Sequence, residues 1–141
     1  MATRAPQAID LGDASDEDAY QPGVCNIGPD EIARRRRSGH RGALVSVGLF
    51  VFLVAIDAPP PTRLLVALPA MGAASGYLQA RLRFCAGFGS RGIYNLGALG
   101  STQQVSDPEA RSRDRAMAFR IGAASFAIGA AIGVAAALLR V

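Results

Sequence analysis

The chain has 141 residues, with 15 arginines, no lysine and 11 acidic residues, and its formal net charge is +4. Only 18% of the residues are charged, below the share of about a quarter that is usual in soluble proteins, and the apolar residues lie in long blocks that exclude a disordered chain. Two cysteines are too few for a disulfide scaffold or for a zinc site with four cysteine ligands.

Residues 1–27 form an acidic segment. It carries one arginine and five acids, which are Asp10, Asp13, Asp16, Glu17 and Asp18. Because it has no apolar stretch, it does not have the pattern of a signal peptide. Its composition predicts a disordered tail.

Three apolar blocks without charges follow, at residues 42–56, 64–80 and 121–139. At the helical rise they span about 23, 26 and 28 Å, against a bilayer core of about 30 Å. The two shorter blocks can cross if Arg41, Asp57 and Arg63 lie among the headgroups. The blocks lack the polar stripe that helices of a small soluble domain need. We therefore predict an all-α integral membrane protein with three transmembrane helices, at about 42–57, 63–80 and 120–139.

Local signals predict where these helices begin and end. Gly28-Pro29-Asp30-Glu31 is typical of a helix start, and this juxtamembrane helix is expected to continue into the first crossing. Prolines 59–61 are expected to end it, so that residues 28–83 form a helical hairpin, either with two full crossings or re-entrant, and Pro69 is expected to kink its second helix. Asp107-Pro108 predicts the start of a long helix over residues 107–141, whose first turns form a cytoplasmic stalk.

The arginines predict the orientation. Twelve of the 15 lie either at residues 34–41, directly before the first block, or between the second and third blocks. Those closest to the first two crossings are Arg34, Arg35, Arg36, Arg37, Arg41, Arg81 and Arg83. The positive-inside rule places the N-terminus in the cytoplasm and the C-terminus in the periplasm of a bacterial inner membrane. We expect these seven arginines to contact membrane lipids, and we expect no nucleic-acid partner.

Small residues recur every four positions in two of the blocks: Gly72 and Gly76 in the second, and Ser125, Gly129, Gly133 and Ala137 in the third. Such ridges let transmembrane helices approach closely. They are expected to join the second and third crossings, or to face a second copy of the chain or a larger membrane protein complex. The cores of the blocks hold no charged residue or histidine, which argues against a transporter or an ion path.

Residues 84–106 are predicted to form a cytoplasmic, glycine-rich loop at the lipid interface, where Phe84, Phe88 and Tyr94 rest. Residues 87–92 fit the G-x-G-x-x-G pattern, but that motif acts between a strand and a helix, so no nucleotide cofactor is predicted.

Cys25 and Cys85 are expected at the same cytoplasmic boundary and are candidate thiols. They can form a reactive pair, or a metal site completed by His40 and a carboxylate. Each can equally be a small packed residue. Since no CxxC or HxxxH pattern supports a metal site, we predict no catalytic, cofactor-binding or metal-binding residue.

Asn26-Ile27-Gly28, followed by Asp30-Glu31 and the arginine run, resembles the start of a family of two-helix bacterial inner-membrane domains, some of which are fused to a rhodanese sulfurtransferase. Residues 84–87 and 95–97 lie where that family has a cysteine near a glycine-rich end, so the resemblance covers about residues 25–97. In contrast to the family pattern, no proline follows Cys85, the chain has no rhodanese domain and a third helix is added. The resemblance implies a dimerising membrane anchor, with persulfide chemistry near Cys85.

These observations favour a small, non-catalytic, multi-pass membrane protein that acts as an accessory or scaffolding subunit through small-residue helix packing. One alternative is a membrane-bound thiol, persulfide or metal protein that uses Cys85 with Cys25. Another is a protein that binds anionic lipids through the arginine run at residues 34–37.

Overall fold

The structure is a computed structural model that describes residues 19–140; most of the predicted acidic tail, residues 1–18, lies outside them. The described chain is mostly helical. Its elements in chain order are α1 (Pro29–Ala55), α2 (Pro60–Arg63), a 3-10 turn (Leu64–Val66), α3 (Ala67–Arg81), α4 (Ala86–Arg91), the strands β1 (Ile93–Tyr94) and β2 (Gln103–Gln104), and α5 (Pro108–Leu138). The two strands pair antiparallel, and α3 packs against both α1 and α5 to form a bundle.

Two helices, α1 and α5, are long and apolar enough to cross a membrane. In their most apolar 18-residue windows only 17% and 28% of the residues are buried, whereas a core helix of a soluble protein would be mostly buried. Large apolar side chains instead point outward, among them Leu44, Val51, Phe119 and Phe126. The prediction of a helical protein with long apolar helices is therefore confirmed for these two helices.

The second predicted crossing is divided into shorter elements. α2 begins at Pro60, the chain then tightens into the 3-10 turn, and α3 has only 15 residues. Pro69 follows this 3-10 turn, and an N–H at its position would face the Leu65 carbonyl inside the turn. Proline removes that bond and its ring crowds the same carbonyl, so the irregularity of the second predicted helix lies where Pro69 is expected to cause one.

α1 ends at Ala55, before the three prolines. Asp57 adopts a left-handed φ of 51°, and the Ala58 N–H donates to the Leu53 carbonyl at 2.9 Å. This bond, together with the contact between the buried Leu53 and Ala58 side chains in one cluster, is the usual way to end a helix with a left-handed residue. α1 thus ends before the prolines, as expected, but this left-handed residue and contact form its end, and the prolines start the next helix.

α5 begins where the sequence predicts. The Asp107 carboxylate accepts hydrogen bonds from the N–H groups of Glu109 at 3.1 Å and Ala110 at 3.2 Å, as a helix N-cap does. At the other end Arg63 is buried and donates to the carbonyls of Leu139 at 2.9 Å and Ala58 at 3.1 Å. Arg63 was expected among lipid headgroups; its side chain instead lies inside the protein and joins the ends of α1 and α5, because the last helical carbonyls need donors.

The small-residue ridge of α5 makes its contacts within the chain. Its buried members are Ser125, Gly129 and Gly133. A methyl group added to Gly129 would meet Met71, and one added to Gly133 would lie 2.7 Å from Cβ of Ala67. At the end of the ridge Ala136 is buried rather than Ala137, which is half-buried.

The ridge of α3 faces a different helix from the one expected. Cβ of an alanine at Gly76 would lie 2.5 Å from the backbone nitrogen of Gly39 in α1, and Cβ at Gly42 of α1 would lie 2.7 Å from the backbone nitrogen of Ala73. Gly72, in contrast, faces open space. The α5 ridge therefore joins the second and third predicted crossings, which is one of the uses expected for it, whereas the ridge of α3 packs on α1 and a different side of α3 meets α5.

Residues 84–106 and 19–27 are more ordered than predicted. Phe84 is fully buried and Phe88 is 8% exposed, so both pack within the protein rather than at a lipid interface. Close packing is possible because Gly89 leaves room for the Phe84 ring. Tyr94 is half-buried and stacks on Tyr20 at 4.5 Å between ring centres. The prediction of a loop and of disorder is thus wrong for these described residues.

Candidate functional site

Two segments far apart in the sequence, residues 19–28 and 82–107, together form a cap over the arginine-rich ends of α1 and α5. Backbone bonds connect them: the Gly28 N–H donates to the Asn95 carbonyl at 2.8 Å, and the Asn95 N–H donates to the Asn26 carbonyl at 2.9 Å. Asn26 and Asn95 are fully buried. The cap is therefore a small packed unit with a polar interior.

Asn26 holds the backbone of Cys85 in place. Its Oδ1 accepts a hydrogen bond from the Cys85 N–H at 2.6 Å, and its Nδ2 donates to the Cys85 carbonyl at 3.1 Å. Gln79 Oε1 accepts from the next N–H, that of Ala86, at 3.0 Å. The position of Cys85 is thus fixed by side chains from two other parts of the chain.

A guanidinium group lies against the Cys85 thiol. Arg35 Nη2 is 2.9 Å from Cys85 Sγ, and the same guanidinium lies 5.9 Å from the centre of the Phe88 ring. Glu31 is 1% exposed, and its carboxylate is 3.7 Å from Arg34 and 3.8 Å from Arg35. Cys85 is 1% exposed, so thiol chemistry at this sulfur requires the cap to open.

The other residues proposed for a thiol or metal site make contacts of their own. Cys25 is buried, and its Sγ donates to the Ile27 carbonyl at 3.8 Å. His40 Nδ1 is 2.7 Å from the Tyr77 hydroxyl oxygen, on the surface of the bundle. Within residues 19–140, no group of three or more histidine, cysteine, aspartate or glutamate side chains is placed to hold a metal ion.

Asp114 joins the cap to α5. It is fully buried, and its carboxylate accepts hydrogen bonds from the Tyr20 hydroxyl at 2.8 Å and from the Gly23 N–H at 2.7 Å. Burial, and then the neighbouring Asp114 carboxylate, raise the pKa of Tyr20 well above its ordinary value of 10. The neutral phenol is therefore the form that the folded cap requires.

This shift predicts an alkaline loss of stability. Since the pKa of Tyr20 is higher in the folded protein, its contribution is complete below the unfolded value of 10 and is lost as the pH rises above that value. Tyr20→Phe should weaken the alkaline decline in unfolding free energy and remove the late step from the tyrosinate absorbance, which no tryptophan obscures. Tyr94→Phe, which removes an exposed hydroxyl bonded to Gln103, should keep both. An unchanged alkaline decline in Tyr20→Phe would contradict the assignment.

The predicted headgroup arginines surround this end of the bundle. One open cavity of about 470 Å³ is bordered by Arg34, Arg35, Arg37, Ser38, Arg41 and Leu99. Arg36 and Arg83 border a second cavity of about 550 Å³ over the start of α1, and Arg81 borders a third. The seven arginines are thus distributed around the bundle rather than gathered at one site.

Sequence reasoning missed the buried polar residues Asn26, Glu31 and Asp114. Glu31 lies three and four residues before Arg34 and Arg35, a spacing that predicts ion pairs on a helix. Asp114 is the last acidic residue of the chain and lies among arginines, and this isolation is a signal by which it could have been singled out from the sequence. Asn26 has no comparable signal, because its partner lies 59 residues away.

Residues 87–92 do not form a phosphate-binding loop of the dinucleotide type. They belong to α4 and to its left-handed C-cap, Gly92, and a cysteine in extended conformation precedes α4 rather than a strand.

Comparisons of the chain with protein-family models, curated proteins and solved structures find no match. The resemblance to the rhodanese-linked domains over residues 25–97 therefore stays a prediction.

Proposed function

We propose that the chain is a small multi-pass protein of a bacterial inner membrane that acts as an accessory or scaffolding subunit and catalyses no reaction itself. The observation that carries this proposal is the outward-facing apolar surface of α1 and α5, where Leu44 is 73% exposed and Phe126 64% exposed. Apolar patches of this kind are covered by lipid or by another protein. The ordered cap adds a polar head at one end of that surface.

The proposed topology has three crossings, with the cap in the cytoplasm. The 22 residues from 60 to 81 are helical throughout and would span about 33 Å at the α-helical rise, so this divided segment is long enough to return across a bilayer beside α1. The arginines near the cap support a cytoplasmic location for it.

A partner helix can approach at Gly72 on the outer side of α3. The other ridge glycines are occupied within the chain, whereas Gly72 faces open space beside Leu68, which is 65% exposed. Close approach over a small residue is the usual basis of helix association in membranes. The resemblance to a dimerising anchor implies an association of this kind.

Purification of the tagged protein in a mild detergent tests the proposal. We expect a particle larger than the monomer, with a second copy or defined partner proteins. Gly72→Leu should remove these partners and leave the helix content unchanged, whereas Gly122→Leu, at an open glycine position on α5, should retain them. A bare monomer of the unmodified protein would contradict the subunit function, and equal retention by both variants would contradict the α3 contact.

A thiol or persulfide function is the second candidate, and the contact between Arg35 and Cys85 favours it. The intact mass of the native protein distinguishes the candidates. A persulfide adds one sulfur atom at Cys85, and this addition would be absent from Cys85→Ser, whereas a purely structural subunit carries no such addition.

A further inference from the structure

We infer that one face of α1 binds the phosphate of an anionic phospholipid. This arginine face consists of Arg34, Arg37, Ser38 and Arg41. The inference requires a membrane location but no protein partner, so it can be tested independently of the subunit function.

The side chains of the arginine face line one concave surface rather than standing as separate charges. Its members lie at positions i, i+3, i+4 and i+7, which share one side of a helix. They border the open cavity of about 470 Å³ described above, a volume within the range of small-ligand sites. Leu99, from the cap, closes one side of it.

The charge of this face is only partly neutralised. Glu31 lies 3.7 Å from Arg34, and it is itself buried and shared with Arg35. No carboxylate among residues 19–140 forms an ion pair with Arg37 or Arg41. Guanidinium groups bind phosphate oxygens through two parallel hydrogen bonds, and the exposed Ser38 hydroxyl adds another donor. An anion with several oxygens fits this set of donors.

The position of the face favours a lipid phosphate over a free one. The uncharged apolar stretch begins at Gly42, directly after Arg41. At the same level His40 is hydrogen-bonded to Tyr77 at 2.7 Å, and amphipathic aromatic rings commonly mark the headgroup layer. Leu99 is 51% exposed at the rim, and acyl chains or glycerol would cover it, whereas inorganic phosphate would leave it in water.

Lipid retention by the purified full chain tests the inference. The protein, in mild detergent, is exposed to phosphatidylglycerol or to phosphatidylcholine, and bound lipid is counted by native mass spectrometry. Charge-assisted hydrogen bonds between guanidinium and phosphate contribute about tenfold each, so R37Q/R41Q should weaken phosphatidylglycerol binding by about 100-fold and change phosphatidylcholine binding little. The matched control R115Q/R120Q removes two exposed arginines from α5, at the same end of the bundle. It should bind phosphatidylglycerol as the unmodified protein does.

Two further measurements distinguish lipid recognition from an effect on membrane topology and from binding of free phosphate. The positive-inside rule counts lysine and arginine alike, so R37K/R41K should insert normally, yet it should retain less phosphatidylglycerol because lysine lacks the planar fork. Inorganic phosphate should compete only weakly. Equal losses in R37Q/R41Q and R115Q/R120Q, unchanged retention by R37K/R41K, or efficient displacement by inorganic phosphate would each overturn the inference.

Discussion

Replacing Gly76 with alanine should destabilise the bundle by about 2–3 kcal/mol, the usual cost of overpacking a close contact. The added Cβ would lie 2.5 Å from the nitrogen and 2.7 Å from Cα of Gly39, and 2.8 Å from the Arg35 carbonyl oxygen. All three are backbone atoms, so no side chain can turn away, and α1 and α3 must move apart. Denaturation in detergent, followed by helical circular dichroism, measures the loss.

Gly48 provides the control for this substitution. It lies in α1, the other helix of the contact, and a methyl group there would meet nothing within 4 Å. Gly48→Ala should therefore leave the unfolding free energy unchanged or raise it slightly, since alanine favours a helix over glycine by about 1 kcal/mol. If the two variants lost stability equally, the cause would be a general effect of removing glycine, and the packing at Gly76 would be refuted.

Replacing Asn26 with alanine should open the cap while leaving the helices intact. The change leaves the N–H of Cys85 without its buried partner, at a cost of about 1–3 kcal/mol, whereas the Cys85 carbonyl keeps the bond from the Gly89 N–H at 2.9 Å. The loss falls on the cap, because the side-chain bonds of Asn26 go to Cys85. The rate at which a small thiol reagent modifies Cys85 in the native protein should rise strongly, at unchanged helix content.

Gln104→Ala is the control for Asn26→Ala, because it removes an exposed side-chain amide from the same cap. It should leave Cys85 protected. Cys25→Ser is introduced in both proteins, so that the reagent reports on one thiol. Continued protection of Cys85 in the Asn26→Ala protein would show that the two side-chain bonds do not hold the cap closed.

The sequence predicts the fold best where the determinants are local. Asp107 and Pro108 mark the start of α5 because an N-cap involves only its own first turn. The end of α1 depends on a left-handed Asp57 and on a contact between Leu53 and Ala58. The nearby prolines are easier to recognise in the sequence, but α1 ends before it reaches them. Spacing also shows that Gly76 lies on a close-packing face, yet it does not show which helix lies opposite.

The candidate site was predictable only in part, for the same reason. Cys85 and the arginines can be recognised by residue type, and the pairing of Glu31 with Arg35 follows from their spacing. The partners that fix Cys85 cannot be found in this way: Arg35 lies 50 residues away in the sequence and Asn26 lies 59 residues away. Such contacts exist only after the helices have assembled.

The bonds to Asp114 also impose an order on biosynthesis. Its carboxylate receives donors from Tyr20 and Gly23, which are made 94 and 91 residues earlier. These early residues leave the ribosome long before their acceptor exists, so the cap can close only when synthesis has reached the first turns of α5. Completion of the cap therefore follows synthesis of α1 and α3, and an incomplete chain is distinguishable from a complete one by its open N-terminal segment.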